Sequence, residues 1–211
     1  MATPDEREKS EELGRWVKQA QCVVWFTGAG ISTESGLPDF RGPDGVWTRR
    51  DAGLPPPRAR PDPAQPNRAH LALAELERLG KVAFLISQNV DGLHLASGFP
   101  APKLAELHGN SHLMVCSQCR AKMSLSEANW ERRRWGAGYR GREKVAGQPE
   151  CPQCGGRLYS AVVNFGDPLP AEDLAASVHH ARQCDLFVVL GSSLVVTPAA
   201  DIPGESQRGG A

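Results

Sequence analysis

Residues 22–42 have the sequence CVVWFTGAGISTESGLPDFRG. The stretch opens with an apolar run at 22–26, rich in β-branched and aromatic residues, which is typical of a strand buried on both faces. The small residues at 28–30 follow, and they permit a sharp turn and a close approach of the backbone to a ligand. A helix that begins near Ser32 would direct its free N–H groups at this turn. The stretch therefore predicts a cradle for a diphosphate, although the glycines alone leave open a tight turn that binds nothing.

The glycine pattern differs from that of the Rossmann dehydrogenases. Their fingerprint is G-x-G-x-x-G, followed about 20 residues later by an acidic residue at a strand end. Gly28 and Gly30 fit this fingerprint, but Thr33 occupies the position of the third glycine and no such strand follows. A dehydrogenase is therefore the weaker interpretation.

The composition limits the size and class of the protein. The chain has 211 residues, of which 40% are hydrophobic, enough for one sizeable core and a small second module. The 24 acidic and 24 basic residues balance, so no net charge draws the chain to nucleic acid or to an acidic membrane. Because the sequence has no long apolar run and no signal-peptide pattern, we expect a cytoplasmic monomer without membrane contact, with a nuclear location as the alternative.

Helices and strands alternate along the predicted chain. A helix starts at Pro4, with Thr3 as its N-cap and Glu6 completing a capping box. Residues 43–66 are rich in proline and arginine and predict an irregular loop. The remaining predicted elements are helices over 65–79 and 172–182 and strands over 81–87, 159–163 and 185–190. This alternation predicts an α/β fold with a doubly wound, Rossmann-like parallel sheet that binds ligands at its strand ends.

Two C-x-x-C pairs predict a metal site formed by Cys116, Cys119, Cys151 and Cys154. Four thiolates at this spacing suit tetrahedral Zn²⁺, and they leave no position for a reactive water. We therefore expect a structural zinc that holds a small zinc-ribbon module, predicted as residues 112–157. The remaining residues, 1–111 and 158–211, form the predicted Rossmann-like domain.

Basic and aromatic residues are interleaved between the two cysteine pairs. The basic residues are Arg132, Arg133, Arg134, Arg140, Arg142 and Lys144. Such a pattern suits a surface that binds nucleic acid or chromatin. We favour a solvated helix face that follows a capping box at Ser124 and Glu127.

One histidine stands in a position suited to proton transfer. Imidazole titrates near neutral pH, so a histidine can deprotonate a hydroxyl group during catalysis. Of the six histidines, only His108 lies in a short turn beside a glycine, just before the cysteine module. On position alone, a structural role is the more frequent one for a single histidine.

Short motifs follow the predicted strands in a fixed order. They are GAGISTESGLPDFRG at 28–42, QNVD at 88–91, HG at 108–109, FGDPLP at 165–170 and GSSL at 191–194. Together with the cysteine pairs they resemble the signature motifs of the sirtuins, the NAD-dependent protein lysine deacylases, except that Asp167 replaces a glutamate. The resemblance covers nearly the whole chain.

The resemblance implies NAD as cofactor and an acylated lysine of a protein, such as a histone-like protein, as substrate. In that family the acyl oxygen attacks the ribose as nicotinamide leaves; His108 would then deprotonate a ribose hydroxyl, and Asn89 would take part in catalysis. The residues implied to bind NAD are Gly28, Ala29, Gly30, Ser32, Asp39, Phe40, Arg41, Trp47, Gln88, Asn89, Asp91, Gly191, Ser192 and Ser193. The substrate peptide would be clamped as an added strand by Val163, Asn164, Phe165 and Gly166.

The resemblance also predicts a subclass and a shortened chain. Residues 42–48, 87–98 and 103–110 most resemble the fourth class, whose animal members are nuclear chromatin enzymes that remove acetyl or long acyl groups. The family's chain normally continues beyond the counterpart of 208–210 into another strand. We therefore expect a truncated chain whose sheet lacks its last strand and exposes an edge.

Three functions remain open at this point. The first is a deacylase that transfers the acyl group to ADP-ribose and releases nicotinamide. The second is a protein mono-ADP-ribosyltransferase that uses the same NAD site. The third is a truncated, non-catalytic binding module that carries zinc.

Overall fold

The computed structural model describes residues 3–57 and 64–211. Its strands are β1 (Val23–Thr27), β2 (Phe84–Ser87), β3 (Leu104–Glu106), β4 (Leu113–Cys116), β5 (Lys122–Ser124), β6 (Leu158–Ser160) and β7 (Leu186–Leu190). Its α-helices are α1 (Pro4–Gln19), α2 (Val46–Asp51), α3 (Arg68–Arg78), α4 (Leu93–Ala96), α5 (Arg132–Trp135), α6 (Ala171–Gln183) and α7 (Ile202–Gly209). Short 3-10 helices cover Ala29–Ser35, Ala101–Lys103 and Ala199–Asp201.

A parallel sheet in the order β3-β2-β1-β7 has helices packed on both faces. On β1, Trp25 belongs to a hydrophobic cluster that includes residues of α1 and α3, whereas Phe26 belongs to a second cluster that includes residues of α6 and α7. Burying each such apolar side chain stabilises the fold by roughly 1.5–3 kcal/mol. This arrangement confirms the predicted α/β fold with a doubly wound parallel sheet.

The span that carries the cysteine pairs forms an antiparallel sheet in the order β5-β4-β6. Its own small core includes Met114, Met123 and Leu158. The sequence predicts that a strand over 159–163 joins the parallel sheet; this is wrong, because β6 pairs with β4. A short apolar run does not reveal which sheet it joins, since that depends on a distant partner. The predicted division of the chain into domains stays a prediction, and β6 lies beyond the predicted end of the small module at 157.

Two segments differ locally from the prediction. The helix expected near Ser32 is a 3-10 helix that begins at Ala29. The predicted irregular loop over 43–66 contains the short helix α2, which begins after Gly45. Its run VWTRRD is too short to stand out among the surrounding prolines. Residues 58–63 of that loop lie outside the described residues.

The structure agrees with the predicted helix ends more closely than with the predicted buried faces of the helices. The capping box between Thr3 and Glu6 is present, and α3 stops before Gly80, whose φ is 71°. Trp16 and Leu79, which the helical spacing places on buried faces, are 50% and 64% exposed.

β7 is an outer strand of the parallel sheet in the described part of the chain, where it pairs with β1. Leu186 and Phe187 on this strand are half-buried. That the chain is truncated stays a prediction. Within residues 3–57 and 64–211, no helix is both long and apolar enough to span a membrane.

Candidate functional site

A cleft of about 1010 Å³ opens at the carboxyl ends of β1, β2 and β7. Ligands of open α/β sheets bind at this edge. The structure brings every residue that the sequence predicts for NAD, catalysis and peptide into the lining of this cleft. These residues come from distant parts of the chain, and their individual roles stay predictions.

Two glycine turns press against each other in the wall of the cleft. The N–H of Gly28 donates to Leu190 O at 3.0 Å, and that of Gly30 donates to Gly191 O at 2.8 Å. A Cβ atom built on Gly30 would lie 2.8 Å from the Gly191 backbone, which is closer than real Cβ contacts. The absence of side chains here is therefore required by the packing of one turn on the other, as well as suited to a ligand.

A hydrogen-bond network joins the first turn to the loop after β2. Ser32 Oγ donates to Asp91 Oδ2 at 2.7 Å, and Asn89 Nδ2 donates to Ser32 Oγ at 3.0 Å. The other carboxylate oxygen of Asp91 accepts the N–H of Leu93 at 3.0 Å. The network fixes three of the predicted NAD-binding side chains, of which Asn89 is also predicted to be catalytic and is 8% exposed.

His108 lies in the turn after β3 and lines the cleft. Its Nδ1 is 2.8 Å from Gln88 O, and since a carbonyl oxygen only accepts, Nδ1 carries the proton of this bond. Nε2 then holds the free lone pair. Burial lowers the pKa of His108 below its usual value, although the bond to Gln88 opposes this. The imidazole is therefore neutral near pH 7 and able to accept a proton at Nε2.

Gln88 also connects the histidine to the turn after β7. Its side-chain Oε1 accepts a hydrogen bond from Ser192 Oγ at 2.7 Å. One residue thus holds the imidazole through its main chain and the second glycine turn through its side chain. Both contacts fix the imidazole relative to the predicted phosphate cradle.

Aromatic side chains form one side of the cleft mouth. The rings of Phe40 and Trp47 are 5.1 Å apart, and those of Trp47 and Phe165 are 6.1 Å apart. The Arg41 guanidinium lies 4.2 Å from the centre of the Trp47 ring. Phe165 is 83% exposed, so the mouth presents apolar surface to solvent.

Main-chain groups of the predicted peptide clamp are partly engaged within the protein. The N–H of Val163 donates to His108 O at 2.8 Å, and the N–H of Asn164 is 3.2 Å from Asp167 Oδ2. A peptide that pairs with 163–166 as an added strand must therefore use other backbone groups in this structure.

Sequence reasoning missed the buried groups that support the cleft from below. His94 Nε2 is 2.9 Å from Thr27 Oγ1, and burial lowers the pKa of His94 to about 4. Asn67 Nδ2 donates to Ile31 O at 2.7 Å and so anchors the 3-10 helix after the glycine turn. Thr27 and Ile31 belong to the stretch at 22–42, but their partners His94 and Asn67 lie far away in the sequence, so no local signal identifies these contacts.

The four predicted zinc ligands form a cluster beside the small sheet. All four sulfur atoms lie within 4.8 Å of one another, with Cys116 Sγ 3.4 Å from Cys154 Sγ and Cys119 Sγ 3.7 Å from Cys151 Sγ. Thiolates about 2.3 Å from a tetrahedral Zn²⁺ would be separated by roughly 3.8 Å. The donor set and its spacing therefore fit a structural zinc ion.

The basic arm between the cysteine pairs makes several contacts within the protein. Arg140 lies over the Tyr159 ring at 4.5 Å, Arg134 lies over Trp135 at 4.4 Å, and Lys144 pairs with Glu150. In this arm only Arg132–Trp135 is helical, so the predicted helix face is wrong for Arg140, Arg142 and Lys144, and contact with nucleic acid or chromatin stays a prediction.

Known proteins are similar to this chain in sequence and in fold. A model of the Sir2 family matches residues 56–198. The NAD-dependent protein deacetylase 1 of Bradyrhizobium diazoefficiens is 40% identical over 225 residues, which cover 98% of this chain and 84% of the relative. The NAD-dependent protein deacetylase SRT1 of Arabidopsis thaliana is 41% identical over 204 residues. The match covers 96% of this chain but only 41% of that plant relative, so the chain spans less than half of its length.

A solved complex described as Sir2 with a p53 peptide and NAD⁺ superimposes with a TM-score of 0.70 and 33% sequence identity. The match covers 95% of this chain and 83% of that one. A doubly wound sheet with a glycine turn at its strand ends and a four-cysteine module beside it defines a nucleotide-binding α/β protein. Within that class, the chain belongs to the Sir2, or sirtuin, family.

Proposed function

We propose that this protein is an NAD-dependent protein-lysine deacylase that transfers the acyl group of a modified lysine to ADP-ribose and releases nicotinamide. The observation that carries the proposal is a neutral imidazole, His108, in one cleft with the paired glycine turns and an exposed aromatic mouth. Relatives named as NAD-dependent deacetylases or deacylases, and a similar solved complex with peptide and NAD⁺, support it.

The chain's own residues suit the separate tasks of this reaction. NAD, when bound, supplies the ribose that receives the acyl group and nicotinamide as the leaving group. The turns around Gly28 and Gly191 have no side chains in the way of a diphosphate, which would use groups other than the N–H of Gly28 and of Gly30, because these two are bonded within the protein. Asn89 and Asp91, held by Ser32, offer polar groups for the carboxamide. His108 Nε2 accepts the proton of a ribose hydroxyl.

The cleft mouth favours an uncharged acyl group. Phe40, Trp47 and Phe165 line it with aromatic surface, which gains free energy when an apolar chain covers it. We therefore propose acetyl-lysine or a longer fatty acyl-lysine in a protein as the substrate. Membership of the fourth class, a histone-like target and a cytoplasmic or nuclear location stay predictions.

Product analysis separates the three candidate functions. The chain is incubated with NAD labelled in its adenosine part and with an acetyl-lysine or myristoyl-lysine peptide, and products are identified by mass spectrometry. A deacylase yields free lysine peptide, nicotinamide and acyl-ADP-ribose, and none of these forms without the acyl peptide. Label that becomes attached to protein would support the ADP-ribosyltransferase instead. Neither product, from a folded chain that still binds zinc, would support the non-catalytic module and contradict the proposal.

A further inference from the structure

His108 lies in a tight main-chain turn that directly follows β3. β3 ends at Glu106, and the N–H of Gly109 donates to Glu106 O at 2.8 Å, which forms a tight turn. Gly109 has a φ of 77°, a conformation that favours glycine. The histidine is thus displayed at a bend whose geometry depends on the residues that flank it.

Glu106 and Asn110 form a clamp across this bend. Asn110 Nδ2 lies 2.8 Å from Glu106 Oε1 and 3.0 Å from Oε2, and donates to the carboxylate. The other end of the Asn110 amide accepts the N–H of His112 at 2.8 Å. Asn110 is 3% exposed, so water competes little for these bonds. The clamp joins the residue two positions before His108 to the residue two positions after it.

Charged groups of three other elements surround the clamp. Asp173 on α6 and Asp91 after β2 lie near enough to influence the pKa of Glu106, and Lys122 on β5 lies 3.6 Å from Asp173 Oδ2. The pKa of Glu106 is raised to about 7, chiefly by burial; the two aspartates also raise it, whereas the bond from Asn110 and the charge of Lys122 lower it. Burial also raises the pKa of Asp173. Ionising a carboxyl group in this buried setting costs free energy. A contact that only stabilised the fold would not need such an ionisable group.

We propose that Glu106 is a positioning residue for the catalytic base: its carboxylate, held on Asn110, fixes the bend so that His108 keeps Nδ1 on Gln88 O and leaves Nε2 free. The kinetic consequences rest on the proposed deacylase function. The position of the imidazole does not depend on that function, because it can be measured in the protein without NAD.

The clamp is strongest when Glu106 is ionised, because both of its oxygens then accept and neither carries a proton that would face the Asn110 amide. As the pH falls through about 7, Glu106 gains a proton and the clamp weakens. His108, whose pKa burial lowers, gains its proton at lower pH. The acid limb of the pH profile of kcat therefore contains two ionisations in the unaltered protein.

The test compares E106A, E106Q, N110A and the double variant E106A/N110A. E77A is the matched control, since Glu77 pairs with Lys103 just before β3 at 2.8 Å and does not touch the bend. We expect E106A and N110A each to lower kcat by about ten- to a hundredfold, with the KM for NAD within about threefold. The double variant is expected to be no slower than either single one, because both remove the same clamp. E106Q keeps an acceptor oxygen and is expected to restore kcat to within about threefold, with one ionisation fewer on the acid limb.

A second readout needs no activity. In protein without NAD, titration of the His108 ring by NMR is expected to move its pKa upwards towards the usual value in E106A, but not in E77A. Unchanged kcat and unchanged His108 titration in E106A and N110A would overturn the proposal, as would additive losses in the double variant. If E106A does not fold, N110A carries the same test. An unaltered protein without deacylase activity would reject the proposed function, and the NMR titration would still decide the role of Glu106.

Discussion

At His108, a single main-chain contact determines which ring nitrogen is able to act as a base. Gln88 O takes the proton of Nδ1, and burial keeps the imidazole neutral, so that Nε2 is the proton acceptor. The polar side chains across the cleft are fixed in the same manner, each by one or two short hydrogen bonds. Individual contacts of this kind make the site testable by conservative substitutions.

Asp91→Asn tests the network behind the predicted nicotinamide pocket. The carboxylate of Asp91 accepts from Ser32 Oγ and from the N–H of Leu93, and an amide replaces one of these acceptor oxygens by a donor. Hydrogen bonds to a charged group contribute about 1.5–3 kcal/mol, so we expect kcat/KM for NAD to fall about tenfold or more. Steady-state kinetics measure this, with Asp44→Asn as the control because the Asp44 side chain is 90% exposed. A change of less than twofold in D91N would show that the network does not support the site.

At the scale of elements, the two glycine turns and the helices behind them determine the shape of the cleft. The turn after β1 and the turn after β7 are bonded to each other through their main chains. Because adjacent parallel strands bring both turns to the same edge, the predicted phosphate cradle would be formed by a pair of turns and not by a single loop. Substitutions that separate the turns are therefore expected to affect stability and NAD binding together.

Gly30→Ala and Gly14→Ala make the same chemical change with opposite expected results. A Cβ at position 30 meets the Gly191 backbone at 2.8 Å, so we expect a loss of about 1–3 kcal/mol in the free energy of unfolding and weaker NAD binding. Gly14 lies inside α1 with nothing within 4 Å of a Cβ, so alanine there is expected to stabilise by about 0.5–1 kcal/mol. Urea denaturation and calorimetric NAD titration measure both effects. Equal stability of G30A and the unaltered protein would contradict the packing of the two turns.

Elements with strong local signals were predictable from the sequence, and those that depend on distant partners were not. The capping box of Thr3 and Glu6 and the glycine stop of α3 are local, and both are present. β1 lies one residue later than its apolar run, since Cys22 N–H bonds to Asp185 at the strand entry instead. α7 is not predicted at all, because Pro203 and Gly204 suggest a loop, although proline near a helix start is well tolerated.

At the scale of the whole molecule, one cleft collects side chains from sequence-distant parts of the chain. Motifs identify the lining of this cleft, because glycines, polar residues and His108 follow strands whose carboxyl ends share an edge. The motifs do not identify the contacts that support the site, such as His94 with Thr27 or Glu106 with Asn110, although Glu106 and Asn110 lie within the stretch 103–110. His94 lies on α4 and Thr27 on β1, so their contact is visible only in the folded structure.

The four-cysteine cluster is expected to hold one zinc ion per chain and to stabilise the small antiparallel sheet. Cys151→Ser removes one buried ligand, so we expect loss of bound zinc and unfolding of the core around Trp130. Metal analysis and the near-ultraviolet circular dichroism of the tryptophans measure both. Cys22→Ser is the matched control, because Cys22 packs beside the parallel sheet and is not part of the cluster. A folded chain that contains no zinc would contradict the assignment.

We propose that His108 acts as the base within a cleft that binds NAD and an acyl-lysine peptide. The most direct measurement is the rate of peptide deacylation by His108→Ala beside His179→Ala, which alters an exposed histidine on α6, with NAD binding followed by calorimetry. We expect H108A to lower the rate at least about a hundredfold while it still binds NAD, and H179A to match the unaltered protein. Deacylation by H108A at the unaltered rate would contradict this role of His108.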